Sequence, residues 1–194
     1  MTPRGDEGLT LVEMLVALAV FSVAATGLAS MLVGSVKINK SQQMAISAQS
    51  DARNCVSVIE QTLRSAGWDP TNAGFTGIVL QSPAQASDNW IEIRQDIDED
   101  SATTSVGEDV TIRLNGTNLE WKTSTAGSFV VFAPNITNDA DGNGTPELMF
   151  TPDSTTNPTR ITVKVTARSP VPDPQSGLYI RATITTEVLL RGQL

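Results

Sequence analysis

The 194-residue chain contains no histidine, one cysteine and one tyrosine, and only 5% of its residues are aromatic. Without histidine it lacks the commonest general base near neutral pH, the Ser–His and Cys–His nucleophile pairs, and imidazole metal sites. An enzyme would have to run on carboxylates or lysine, and since no nucleophile motif is present the chain is not expected to be one. The single Cys55 cannot close an internal disulfide or build a thiolate zinc site. Positive charge is scarce as well: 13 Lys and Arg stand against 21 Asp and Glu, a formal charge of −8. A phosphate backbone would be repelled by most of such a surface, so direct nucleic-acid binding is not expected. There is no phosphate loop, dinucleotide fingerprint or internal repeat.

What the chain does have is a long apolar run near its start. From Met14 to Val36 no residue carries a formal charge, and 23 residues as a helix reach about 34 Å, enough to cross a bilayer. The apolar region of a secretory signal is shorter, roughly 7–15 residues, and ends at a small-residue cleavage site. Here the helical pattern continues. Met44, Ala48, Ala52, Val56, Ile59, Leu63 and Ala66 are spaced by four or three and form one apolar stripe, with Gly67 as the stop and Pro70 beyond it. Glu13 is the anomaly, a carboxylate at the edge of the apolar run, which at a helix centre in lipid costs on the order of 3 kcal/mol unless partnered.

The remaining 128 residues read as β structure with loops. Alternation predicts strands at Trp90–Arg94 and Val110–Leu114, a hairpin at Asn115-Gly116 leading to Leu119 and Trp121, and long antiparallel neighbours at Arg160–Arg168 and Leu178–Leu190. Short apolar runs lie at Phe129–Phe132 and Leu148–Phe150. The expected fold class is α+β, a long N-terminal helix packed on an antiparallel sheet. Asp139, Asp141, Asn143 and Gly144 match the first half of a calcium loop. Glu147 stands at its ninth place, but the twelfth falls on Phe150, where a bidentate acid is needed. Calcium, with Asp139, Asp141, Asn143 and Glu147 as ligands, is therefore a candidate cofactor. Asp96, Asp98 and Asp100 alternate similarly without the glycine.

Arg4-Gly5-Asp6-Glu7-Gly8 followed by Leu9-Thr10-Leu11-Val12-Glu13-Met14-Leu15 resembles the class III signal of type IV pilins and type II secretion pseudopilins. The resemblance implies cleavage by a prepilin peptidase between Gly8 and Leu9, N-methylation of Leu9, and an assembly role for Glu13 as fifth residue of the mature chain. It further implies a leader at 1–8, a transmembrane and filament-core helix at 9–36, an amphipathic helix at 37–66 packed on a head, and a β-rich head at 67–194. Leu9 stands where Phe is commoner, and Ser30 where many major pilins have a helix-bending proline. The leader's Arg4 is outweighed by Asp6 and Glu7 while Lys37 and Lys40 lie beyond the span, so orientation rests on the resemblance and not on positive charge.

The order Leu63-Arg64-Ser65-Ala66-Gly67-Trp68-Asp69-Pro70, then Asp96-Ile97-Asp98-Glu99-Asp100, then a closing Val188-Leu189-Leu190-Arg191 is similar to PilW-type minor pilins and, more distantly, J-type minor pseudopilins. This implies a low-copy structural subunit that helps initiate or cap pilus assembly, with a type II secretion pseudopilin or a pilus-tip adhesin as alternatives. The implied partners are the prepilin peptidase, other minor and major pilins, the inner-membrane assembly platform and the lipid bilayer. The implied location is the bacterial inner membrane, single-pass with the head on the periplasmic side, and then the pilus or pseudopilus.

Overall fold

A computed structural model describes residues 10–80, 89–154 and 158–190. Helix α1 (Leu11–Arg64) runs for 54 residues, about 81 Å at 1.5 Å per residue. It contains no proline, and its two glycines, Gly27 and Gly34, have open space around them. Its most apolar 18-residue window has a mean hydropathy of 2.2 and no part of that window is buried. The hydroxyls of Ser22, Thr26 and Ser30 donate to the carbonyls four residues back at 2.8, 2.8 and 3.0 Å, so they leave no polar group open on an apolar surface. Burial begins at Met44, and all seven stripe residues from Met44 to Ala66 are buried, joined by Cys55. The helix thus has one half that stands clear of the head and one that forms part of its core.

The helix ends two residues earlier than the pattern predicts, with Ser65 as C-cap and its hydroxyl donating to Thr62 O at 2.7 Å. Gly67 follows in the left-handed region at φ 73°, and Gly67 N–H donates to Arg94 O. Gly77 crosses it so closely that a Cβ would lie 2.4 Å from Gly67 backbone atoms. No larger residue at 77 would let the helix end meet the first strand.

Among the described residues the head contains two antiparallel sheets. The first has strands in sequence order: β1 (Ile78–Leu80), β2 (Trp90–Arg94), β3 (Asp109–Asn115), β4 (Asn118–Lys122) and β5 (Val130–Pro134). The second has β6 (Phe150–Pro152), β7 (Arg160–Arg168) and β8 (Arg181–Leu189). β3 and β4 form the expected hairpin, with Asn115 paired to Asn118 and Gly116 at φ 61° in the loop. β7 and β8 are the expected long neighbours, in register from Arg160–Leu189 to Arg168–Arg181.

α1 lies on β7 and β8, and Ile161, Val163, Val165 and Ala167 point from β7 into the core with no exposed surface. Each fully buried Ile or Leu in such a core stabilises by roughly 1.5–3 kcal/mol. The expected α+β class holds, and the antiparallel strands of the head divide into two sheets. After β5 the chain turns at Asn135 (φ 62°), makes one bridge, Ile136 to Ala167, and turns again at Asn138 (φ 47°). Two buried amides close the seam. Asn138 accepts from Thr166 N–H at 3.0 Å and Asn89 accepts from Met149 N–H at 2.7 Å, while both donate to Glu147 O.

Candidate functional site

The sequence places the first candidate site at the start of α1. Gly8 and Leu9 lie outside the described residues. Thr10 is extended (φ −74°, ψ 151°) and is the N-cap; Glu13 is the third helical residue. Glu13 N–H donates to the Thr10 hydroxyl at 3.3 Å, and Glu13 Oε2 accepts from Thr10 N–H and Thr10 Oγ1, each at 3.0 Å. This reciprocal capping box satisfies two of the otherwise open N–H groups of the helix. It also turns the carboxylate of Glu13 toward the positive end of the helix dipole, and so toward the chain's own start. The first carbonyl of the helical ladder is that of Thr10, which accepts from Met14 N–H at 3.2 Å.

Residues 3–29 match the family model described as the prokaryotic N-terminal methylation motif. The chain carries a prokaryotic N-terminal methylation motif. No curated protein and no solved structure matches it. The motif spans Gly8, Leu9, Glu13 and α1 as far as Ala29, and this is the signal of type IV pilins and pseudopilins. It implies processing by a prepilin peptidase, assembly with other pilins, and anchoring in a membrane.

Away from the motif, the 139–147 turn is held by its own polar groups. Asp139 accepts from the N–H groups of Gly142 (2.8 Å) and Gly144 (3.1 Å), and Arg181 Nη2 lies 3.7 Å from its Oδ2. Burial, the largest single influence on Asp139, pushes its carboxyl up, but the amides of Gly144 and Gly142, a side-chain hydrogen bond with Asp141 and, last, Arg181 together hold it below the ordinary value. Asp141 accepts from both the backbone and the side-chain amide of Asn143, and Glu147 is ion-paired with Lys164. Gly142, at φ 80°, lets Arg181 settle into the turn, since a Cβ there would lie 2.8 Å from Arg181 Nη1.

The expected ligands therefore already have partners: two backbone amides and Arg181 for Asp139, Asn143 for Asp141, and Lys164 for Glu147. A calcium ion entering the turn competes with Arg181 and Lys164, which places its affinity at or below the weak extracellular range of ~10⁻⁴–10⁻³ M. In millimolar calcium the melting temperature of the purified protein should move by less than ~2 °C. Arg181→Ala, which removes the competing cation, should enlarge that calcium-dependent gain. If Arg181→Ala melts identically in calcium and in chelator, 139–147 is a plain polar turn.

Among the described residues, three carboxylates whose oxygens lie within 4.8 Å of one another are Asp96, Asp98 and Glu108. Asp96 and Glu108 are buried. Glu108 accepts from the N–H groups of Ile97 (2.9 Å), Asp98 (3.2 Å) and Ser105 (2.9 Å). Asp96 accepts from Asp100 N–H, Ser101 N–H and the Thr71 hydroxyl. The two carboxylates thereby act as fasteners for the 95–108 loop. Glu108 was not singled out from the sequence, because ten residues separate it from Asp98 and nothing local marks it.

A third polar cluster ties the head to the helix. Asp173, in the β7–β8 loop, accepts from the hydroxyls of Ser41 and Ser176 and from Ser176 N–H. The Ser41 hydroxyl first and Ser176 second lower its carboxyl to about 2. A carboxyl lowered by folding contributes stability in full above its unfolded value, near 3.9, and loses it as pH falls through the folded value. Wild type should therefore melt higher than Asp173→Asn at neutral pH, with the gap closing between about pH 4 and pH 2. A gap constant with pH would remove Asp173 from the acid response.

Cys55 is buried on the helix stripe, and burial, with Asp51 second, pushes its thiol up to about 11. That is the inert thiol expected of a core position.

Proposed function

We propose that the chain is a minor pilin, a low-copy structural subunit that helps initiate or cap a type IV pilus after its leader is removed. The observation that carries the reading is the joining of the methylation motif to a helix whose first 33 residues, Leu11 to Gln43, hold no buried side chain, while its remainder is built into the head. A segment of that kind, about 50 Å long and apolar for most of its length, can sit in a bilayer as a monomer or be exchanged into a bundle of like helices. Ala25 with Ala29, and Ser30 with Gly34, are small residues four apart that let such helices approach closely. The head stands outside the cytoplasm, and the chemistry of the system is done on this chain by its peptidase and methylating activity.

Removing the gene should lower filament number while leaving the composition of the remaining filaments unchanged. In sheared wild-type filaments, mass spectrometry should find the chain as a small fraction of the main subunit. A chain present at the abundance of the main subunit is a major pilin, and a deletion that leaves filaments intact but blocks export of folded proteins assigns it to a secretion pseudopilus.

A further inference from the structure

Beside the β7–β8 loop the second sheet ends in a pair of arginines. Arg168 and Arg181 stand directly opposite in the ladder. Next to them Ser169 N–H donates to Ile180 O, whereas Arg168 N–H points away from β8 and donates to Asn135 O. They are therefore a non-hydrogen-bonded cross-strand pair, the kind in which Cα atoms lie about 4.5 Å apart and side chains come closest. Ala167, just before Arg168, is buried in the core, so strand alternation carries both arginines to the face turned away from α1. Two like charges placed directly opposite destabilise a sheet unless a counter-charge meets them.

The chain supplies little of that counter-charge. Among the described residues Asp139 is the one carboxylate within ion-pair distance of either arginine, 3.7 Å from Arg181 Nη2, and it already accepts from two backbone amides. Arg181 Nη1 reaches Tyr179 O only at 3.5 Å. Both distances exceed the roughly 2.7–3.2 Å of an ordinary N–H···O bond. Arg168 forms no ion pair among the described residues, and the Nε–H groups of both arginines are buried without an acceptor. Lys37, Lys40 and Arg53 lack ion pairs too, but they are exposed and water serves them. The two guanidinium groups are nevertheless held in place. The Tyr179 ring lies 4.5 Å from the Arg168 guanidinium carbon, covering a face of the fork and leaving its edge donors open. The missing Cβ of Gly142 gives Arg181 its room.

We infer that Arg168 and Arg181 form a binding site for an oxyanion, the carboxylate or phosphate group of a ligand that docks at the loop end of the β7–β8 hairpin. An oxyanion brings the acceptors that the two buried Nε–H groups lack and the negative charge that the like-charged pair lacks. Its array of oxygens matches guanidinium forks, which present several donors in fixed directions where a lysine offers a point charge. Asp139 repels the same ligand, so the site is a modest one and depends on Arg168, the arginine with no carboxylate of its own. The site uses no residue of α1 and lies outside the methylation motif, so it neither rests on the minor-pilin reading nor supports it.

The test uses the full chain purified in a nonionic detergent, with inorganic phosphate and acetate as probes, each compared with chloride at equal ionic strength. A probe at roughly tenfold over its Kd should raise the melting temperature of wild type by about 3–5 °C. Phosphate also stabilises folded proteins by exclusion from their surface, so the decisive quantity is the difference between wild type and variant. Arg168→Gln, which keeps a long polar side chain and loses the charge, should lose most of the gain. Arg168→Lys, which keeps the charge and loses the fork, should bind several-fold more weakly than wild type. In nitrogen–proton correlation spectra the Nε–H signals of Arg168 and Arg181 should move with the probe, the Arg168 signal being the one that Arg168→Gln removes. A response to phosphate alone assigns a phosphate-bearing ligand, and an equal response to acetate a carboxylate. Wild type indifferent to both probes, an equal gain in Arg168→Gln, or Nε–H signals that stay in place overturns the inference. If Arg168→Gln does not fold, Arg168→Lys and the wild-type Nε–H signals decide it.

Discussion

Gly8→Val should leave the precursor uncut, with intact mass showing all eight leader residues and no methyl group. The peptide bond between Gly8 and Leu9 lies two residues ahead of the helix, which opens with Thr10 as N-cap and takes its first carbonyl from Thr10. The bond to be cut is flanked on the leader side by a residue with no side chain. Valine adds a branched group at the carbonyl to be attacked, and displacing that carbonyl by about an ångström costs on the order of 10²-fold in rate. The uncut chain keeps its Glu13 but carries its amine eight residues further away, behind Asp6 and Glu7. It should accumulate in the membrane and be absent from filaments. Normal cutting of the variant, or a leader retained by wild type, would remove the processing assignment.

What could be read from the sequence was whatever repeats locally. The stripe from Met44 to Ala66 is set by a single helical period, and all seven of its members are buried. β2 and β7 follow from strict alternation of branched apolar residues with polar ones, and the inward positions Ile91, Ile93, Ile161, Val163 and Val165 have no exposed surface. The N-terminal motif is equally local, a glycine, an acid and an uncharged run at fixed spacing.

The features that escaped are held by partners distant in sequence. β1 is three residues long, too short to show a period. The split into two sheets depends on Asn135 and Asn138 adopting positive φ, and on Asn89 reaching across nearly sixty residues to Glu147 O and Met149 N–H. Arg181 enters the turn at Asp139 from the far end of the β7–β8 loop, so a loop read as a cation site brings its own cation.

Glu13→Leu should abolish or sharply reduce filament assembly while the amount of chain in the membrane stays equal or rises. Insertion improves because a charge leaves an apolar segment, a change worth up to about 3 kcal/mol on insertion scales. Assembly fails for one of two physical reasons, and the capping box makes them separable. Glu13 caps its own helix through Thr10, a contribution of about 1 kcal/mol. As a carboxylate, it can also neutralise the N-terminal amine of a neighbouring subunit where both are desolvated, and a charge left there without its partner costs 3–5 kcal/mol.

Glutamine serves nearly as well as glutamate in a capping box, because its side-chain oxygen still accepts from the N-cap N–H. It cannot neutralise an amine. If pairing is the role, Glu13→Gln should fail as completely as Glu13→Leu in filament counts, with membrane levels and helix content by circular dichroism unchanged. Thr10→Ala, which removes the cap hydroxyl but keeps the charge, should then assemble at close to the wild-type level. Assembly by Glu13→Gln together with failure of Thr10→Ala would assign Glu13 to the helix start, and the partner amine would need another acid.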